Sequence, residues 1–199
     1  MTEKEDFSEK YLKRGYATRV LLSNFFSSVQ KLIVPLAISK TLEVGCGPGF
    51  STQRLNAFFS SGALEASEYR GDLVEEAKER NPGVKIIQES IYELQRAADS
   101  FDLVIALEVF EHLERPEDAL RELHRVTKRY CLISVPNEPI WRILNICRLA
   151  YLKSLGNTPG HIQHWSPFSF RRFVEQYFEV RALRLPLPWT VLLGEKNSS

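Results

Sequence analysis

The segment Leu42-Glu-Val-Gly-Cys-Gly-Pro-Gly-Phe50 carries the strongest chemical signal in the chain, with glycines at alternate positions 45, 47 and 49. Glycine lets a backbone turn sharply and lets a ligand approach it closely. An apolar run, Thr41 to Val44, precedes the glycines, and a helical stretch, Ser51 to Phe59, follows them. That places the turn at the carboxyl end of a strand, where open α/β sheets bind ligands. A dinucleotide site has the pattern G-x-G-x-x-G, and its third glycine allows close helix–strand packing. Phe50 comes directly after Gly49 and would obstruct such packing. The spacing therefore suits a nucleoside and an amino acid better than a pyrophosphate. The plain alternative is a glycine turn that binds nothing.

Further along, Glu108, Glu111 and His112 follow an almost continuous apolar run, Phe101 to Leu107. Imidazole titrates near neutrality, so His112 is a candidate general base at the rim of the predicted site. Its structural alternative is a histidine capping the next helix. His161 and His164 stand three apart beside Trp165 in a turn-rich loop. Such a loop suits acceptor recognition or proton removal. We assign proton removal to His164 and acceptor contact to His161 and Trp165, against an equally weighted reading in which these side chains bond to nearby backbone. Two histidines alone make a poor metal site.

These groups need a scaffold. With 199 residues, 44% hydrophobic and 26% charged, the sequence suits one globular domain. Residues 7–38 read as helical, closing at Pro35. Strands are expected at 41–44, 63–67, 84–87, 101–107 and 130–135, alternating with helices at 51–59, 72–80 and 116–127. That alternation gives a parallel sheet. A helix at 167–177 precedes two strands, 178–185 and 189–195, separated only by Pro186-Leu187-Pro188. So short a link requires antiparallel pairing. The expected fold is a Rossmann-like, doubly wound α/β sheet of seven strands, mostly parallel with one antiparallel strand. N-terminal helices precede it, and a helical insertion follows strand five.

The 26 basic and 25 acidic residues leave a formal net charge of +1, which argues against a nucleic-acid binder. The three cysteines, Cys46, Cys131 and Cys147, fit no zinc spacing and read as reduced thiols. The charged stretch Met1 to Arg14 has no signal-peptide character, and no apolar run reaches the roughly 18–20 residues of a membrane span. A cytoplasmic location is expected.

The glycine segment resembles motif I of the class I S-adenosylmethionine-dependent methyltransferases, an acidic residue followed by G-x-G-x-G. The resemblance runs well through residues 35–135 and extends to the order of the final strand pair. It implies S-adenosylmethionine as cofactor, with Glu43, Gly45, Cys46, Gly47 and Gly49 in the loop that holds it. Glu68 stands at the position that binds the ribose hydroxyls, with Tyr69 beside it. A carboxylate can accept both bonds of a cis-diol. Asp72, about one helical turn later, reads better as an N-cap. Ser90 occupies a position where the family usually has an acidic residue on the adenine amino group. Serine can accept that bond, and the Ile91 N–H can donate another. Leu107-Glu-Val-Phe-Glu-His-Leu113 is similar to the family's segment after strand four, placing Leu107 and Glu108 at the methionine end. The set Glu108, Glu111, His112 is also similar to one in ubiquinone-biosynthesis O-methyltransferases, where a divalent metal is involved. Many relatives carry those letters without metal, and none is assigned.

The resemblance leaves substrate choice to what is added to the core. Residues 136–166 form a lid-like insertion, read as a helix from Pro139 to Leu155. Trp141, Leu144, Arg148, Tyr151 and Leu155 fall at helical spacing, and Trp141 is assigned to the acceptor. The cationic, apolar stretch 139–155 could also touch an anionic membrane surface. Tyr11 and Tyr16 are further pocket candidates. The expected organisation is a single domain over 1–199: a helical cap (1–38), a cofactor core (39–135), the insertion (136–166) and a closing unit (167–199). The expected function is methyl transfer to a small-molecule acceptor, at oxygen or nitrogen, without nucleic acid as a partner. The rivals are a cofactor-binding subunit without catalysis and, more weakly, a nicotinamide-dependent oxidoreductase.

Overall fold

A computed structural model of the chain describes residues 15–147, 149 and 151–197. Tyr11 and Arg148 lie outside the described residues. The sheet has seven strands: β1 (Thr41–Val44), β2 (Leu64–Glu68), β3 (Lys85–Gln88), β4 (Phe101–Leu107), β5 (Thr127–Pro136), β6 (Phe178–Arg184) and β7 (Trp189–Lys196). Their spatial order is β3-β2-β1-β4-β5-β7-β6. The first five are mutually parallel, and β7 runs antiparallel to both β5 and β6. This is the doubly wound, mostly parallel fold expected from the sequence. Having wound outward from β1 to β3, the chain returns to place β4 on the other side of β1. The crevice at that reversal is where such sheets bind ligands.

Alternation along each strand divides the core into two layers. Leu103, Ile105 and Leu107 of β4 face one layer, and Val104 and Ala106 face the other. The first layer is covered by α1 (Tyr16–Ile33), α2 (Phe50–Asn56) and α3 (Gly71–Arg80), the second by α4 (Pro116–Val126) and α6 (Pro167–Val174). α1 supplies Leu22, Phe25, Phe26, Val29, Leu32 and Ile33, a three-and-four spacing that keeps one face buried. Proline in the first turn opens α4, as the sequence predicted. At α6 the Ser166 hydroxyl accepts from Ser169 N–H at 3.1 Å, and the Ser169 hydroxyl accepts from Ser166 N–H at 3.0 Å. This reciprocal capping box fixes where the insertion ends.

The structure corrects three local expectations. The insertion helix α5 runs only over Ile140–Cys147. Beyond it Leu149, Tyr151 and Leu155 take positive φ, with a short 3-10 turn at Leu152–Ser154. The chain doubles back so that the Asn145 amide donates to the Gly156 carbonyl at 2.8 Å. The stripe Trp141, Leu144, Tyr151, Leu155 therefore does not exist as a single helical face: Trp141 is buried and the other three are exposed. Asp72 is not an N-cap, because α3 begins one residue earlier, and its carboxylate pairs with Arg70 at 2.6 Å. Tyr16, at the start of α1, is exposed rather than buried among the described residues.

Candidate functional site

The glycine turn is fixed from below by the neighbouring strand. Gly45 and Cys46 N–H donate to the Ser67 carbonyl at 2.8 and 2.9 Å. Gly47 and Gly49 both take positive φ, +54° and +82°, but for different ends. A Cβ on Gly49 would lie 2.5 Å from Asn81 Nδ2 and 3.0 Å from Ala77 Cα, so this glycine admits the close packing of α3. A Cβ on Gly47 would meet nothing within 4 Å. Gly47 thus keeps its backbone open to whatever occupies the crevice. The close-packing glycine of the turn is at position 49, and the Phe50 ring lies under the Arg80 guanidinium, 3.8 Å from centroid.

Glu68 ends β2 beside this opening. Its Oε2 accepts from Gly47 N–H at 3.0 Å and its Oε1 from Arg70 N–H at 2.9 Å. Two backbone donors orient the carboxylate and leave lone pairs for two more, the requirement of a cis-diol. Tyr69, next in sequence, is 70% exposed at the same rim. The Cys46 side chain points into the core, and burial pushes its thiol pKa up, so only its backbone is offered to the opening.

Glu43 lies buried under the loop and accepts from the Thr52 hydroxyl at 2.6 Å. Burial pushes its carboxyl up to about 7, assisted by the nearby Glu68 charge and opposed by hydrogen bonds from Ser51 and Thr52. Because the folded-state value lies above the unfolded one, the native state holds the extra proton between about pH 4.5 and 7. The associated stability is present at the acid end of that window and is lost as pH rises through it. Glu43→Gln should therefore flatten the fall in melting temperature between pH 5 and 8, measured calorimetrically. Parallel curves for variant and parent would show that Glu43 is already ionised at pH 5.

On the far side of the opening, Gly45 packs against Val109, where an added Cβ would come within 2.7 Å. Leu107 ends β4, buried, and Glu108 follows in a left-handed conformation, φ +59°. Its Oε2 accepts from Trp189 Nε1–H at 2.6 Å and its Oε1 from the Ser134 hydroxyl at 3.3 Å. Glu108 is therefore turned toward β5 and β7. Beyond β3, the Ser90 hydroxyl accepts from Tyr92 N–H at 3.3 Å, and Ile91 is buried in the second core layer.

The three members of the Glu108-Glu111-His112 set do not converge. Among the described residues, the acidic and imidazole groups that come together are Glu111, His112 and His161, with ligand atoms within 4.8 Å of one another. The 3-10 turn Phe110–His112 presents the first two. Ile162 and Gln163 N–H both donate to the Glu111 carbonyl, at 2.9 and 3.0 Å, stapling the insertion onto this turn. His112 Nδ1 lies 3.0 Å from the Gly160 carbonyl. His161 packs against Trp141, 5.8 Å between centroids, and Trp141 Nε1–H donates to Thr158 at 2.9 Å.

His164 is exposed and stands outside this cluster; its Nε2 is 2.7 Å from an Arg142 nitrogen. The same Nε2 also lies 2.9 Å from Asn157 Oδ1, so the ring is held between the guanidinium and the amide. Burial, with Arg142 adding, holds the His164 pKa below its usual range. Trp165 packs on Phe173 and Phe170, at 4.7 and 5.7 Å between centroids, as part of the second core layer. The geometry thus joins His112 with His161 and separates both from His164 and Trp165.

Sequence reading missed Trp189 and Phe25. Their rings lie 4.9 Å apart, and Trp189 lies 6.0 Å from Trp141, so a line of rings connects α1 through β7 to α5 and His161. The available signal was the indole itself: a buried tryptophan N–H requires an acceptor, here Glu108.

Strand order, the glycine turn at the sheet's switch point and the carboxylate one strand over define a doubly wound α/β domain built for a nucleoside-bearing ligand. The comparisons agree. Residues 42–133 match the family described as Methyltransferase domain. Malonyl-[acyl-carrier protein] O-methyltransferase of Brevibacillus brevis is 29% identical over 133 residues, 61% of this chain and 47% of that protein. The PH0226 protein of Pyrococcus horikoshii superposes with TM-score 0.72 at 15% identity, covering 96% of this chain and 97% of that one. Magnesium protoporphyrin IX methyltransferase of Synechocystis, solved with bound SAH, gives 0.69 at 16% identity over 92% and 89%. These two structural likenesses show the fold. Over residues 42–133 the chain is similar to the class I S-adenosylmethionine-dependent methyltransferases. The matched stretches span less than half the length of the curated relatives. Among the described residues no helix is long and apolar enough to cross a membrane.

Proposed function

We propose that this chain transfers a methyl group from S-adenosylmethionine to a small-molecule oxygen or nitrogen acceptor. The observation that carries the reading is the pairing of Gly47, whose Cβ direction is open, with Glu68, fixed beside it by the Gly47 N–H. Backbone from Gly45 to Gly49 would hold the amino-acid half of the cofactor, and Glu68 the ribose hydroxyls. Ser90 and Ile91 would flank the adenine, and Leu107 would border the methionine end. Bound there, S-adenosylmethionine supplies an electrophilic methyl group on a sulfonium.

The chain's own contribution is to orient two reactants and exclude water, the source of much of the acceleration in a bimolecular displacement. His112 is the candidate base at the rim. A carbonyl can only accept, so its Nδ1 carries the proton toward Gly160 and Nε2 keeps a lone pair. The insertion, held on the Glu111 carbonyl by Ile162 and Gln163, covers this rim and would select the acceptor. Charge balance supports a small acceptor over nucleic acid. The apolar, exposed residues Ile143, Leu144, Leu149 and Leu155 favour an acceptor with lipid-like character within that class. Incubation with methyl-labelled S-adenosylmethionine and a panel of phenols, amines, carboxylic acids and acyl conjugates tests the proposal. It expects label in at least one product and loss of that transfer in His112→Ala. Cofactor binding without transfer to any of them would favour a binding subunit.

A further inference from the structure

We propose that Glu111, His112 and His161 form a binding site for a divalent transition-metal ion of the zinc class, which clasps the insertion to the rim after β4. The three side chains come from two distant parts of the chain and place one carboxylate oxygen and two imidazole nitrogens within 4.8 Å of one another. A carboxylate with two imidazoles is a donor set that zinc and its neighbours accept, with positions left for water. Donors around a tetrahedral zinc ion stand about 3.4 Å apart at bond lengths of about 2.1 Å, so binding draws the widest pair of this cluster together by up to about 1.4 Å.

Three features of the surroundings match what metal sites require. Glu111 is only 1% exposed, and a carboxylate taken that far from water is stabilised by a cation. His112 is oriented by a backbone carbonyl: the Nδ1 proton goes to Gly160, which leaves Nε2 as the ligand nitrogen. A ligating histidine characteristically donates its other ring N–H to such a group. His161 is buried between the Trp141 ring and the His112 ring, 5.0 Å from the latter between centroids, so its plane is fixed before any ion arrives. His112 is the less buried imidazole and gives the ion its way in.

The set differs from the sequence-adjacent trio Glu108, Glu111, His112. Glu108 points to Trp189 and Ser134, and His161, contributed by the insertion, takes its place. Because two ligands belong to the rim and one to the insertion, occupancy couples metal binding to the seating of the segment around Gly160. The site does not depend on the identity of the acceptor, and because an ion on Nε2 occupies the lone pair that His112 would use as a base, metal binding and that base role are alternative states of the same side chain.

The test is calorimetric titration of metal-stripped full-length protein with Zn2+, and separately with Mg2+, alongside Co2+ absorption spectroscopy. We expect one Zn2+ per chain, a rise in melting temperature on binding, and Co2+ d–d bands of a low-coordinate site. Mg2+, which prefers an oxygen shell, should give no comparable effect. Glu111→Gln preserves shape and His161→Asn leaves the fold's hydrogen-bonded backbone in place. Each should weaken Zn2+ at least tenfold and abolish the Co2+ bands, whereas His164→Asn, outside the cluster, should leave both unchanged. Circular dichroism establishes that each variant is folded; if either ligand variant is not, His112→Gln decides. Zn2+ binding that survives these substitutions, or no Zn2+ binding by the parent, overturns the site.

Discussion

Gly47→Val is expected to remove measurable binding of S-adenosylhomocysteine while leaving a folded protein. The backbone at Gly47 holds φ +54°, and a Cβ there would meet no atom of the described residues within 4 Å. Two effects then fall on the ligand. A branched side chain would occupy the volume in front of the turn, and a β-branched residue strongly resists this left-handed conformation. Relaxing that strain would also shift the Gly47 N–H away from Glu68 Oε2, now 3.0 Å distant. Loss of at least 100-fold in affinity, about 2.7 kcal/mol, is the expected size, read by calorimetry. Gly47→Ala, smaller and unbranched, should lose less. Equal affinity for Gly47→Val and the parent would place the ligand elsewhere.

Glu68→Ala should produce the second largest effect. The carboxylate is already oriented by the Gly47 and Arg70 N–H groups, so it does not need to be reorganised to receive two hydroxyl donors. Hydrogen bonds to a charged acceptor are worth about 1.5–3 kcal/mol each. Removing the acceptor of a two-hydroxyl grip should therefore cost roughly 10²–10⁴-fold in cofactor affinity. Glu68→Gln, which keeps one accepting oxygen, should fall between. The discriminating measurement is affinity for 2′-deoxy against unmodified S-adenosylhomocysteine: the parent should prefer the unmodified compound, and Glu68→Ala should lose most of that preference. A preference that persists in Glu68→Ala would move the sugar contact to another residue.

The core was legible because its signals are local and periodic. Phe101 to Leu107 reads as a strand buried on both faces, and it is one, contributing alternately to the two core layers. The link Pro186-Leu187-Pro188 is too short for a crossover, and β6 and β7 pair antiparallel accordingly. The glycine turn was legible as a turn, although the division of labour between Gly47, open outward, and Gly49, packed on α3, follows from tertiary neighbours at Ala77 and Asn81.

The insertion was less legible for a physical reason. Leu149, Tyr151 and Leu155 adopt positive φ, which side-chain type disfavours, and tertiary bonds such as Asn145 to Gly156 hold the reversal. No periodicity announces it. The grouping of Glu108 with Glu111 and His112 failed similarly. Sequence places them within one turn, but the left-handed backbone at Glu108 directs its carboxylate to Trp189, 81 positions away. His112 instead meets the loop at Gly160, 48 positions later, a contact that only the seated insertion creates.

Calorimetric titration of the unmodified chain with S-adenosylhomocysteine tests the central claim most directly, since every role assigned to residues 45–49 and to Glu68 assumes that this molecule sits between them. The account predicts one binding site per chain with a dissociation constant in the micromolar range, and chemical-shift changes in a parallel NMR titration that centre on Gly45, Gly47 and Glu68. No heat and no shift changes at saturating ligand would contradict it.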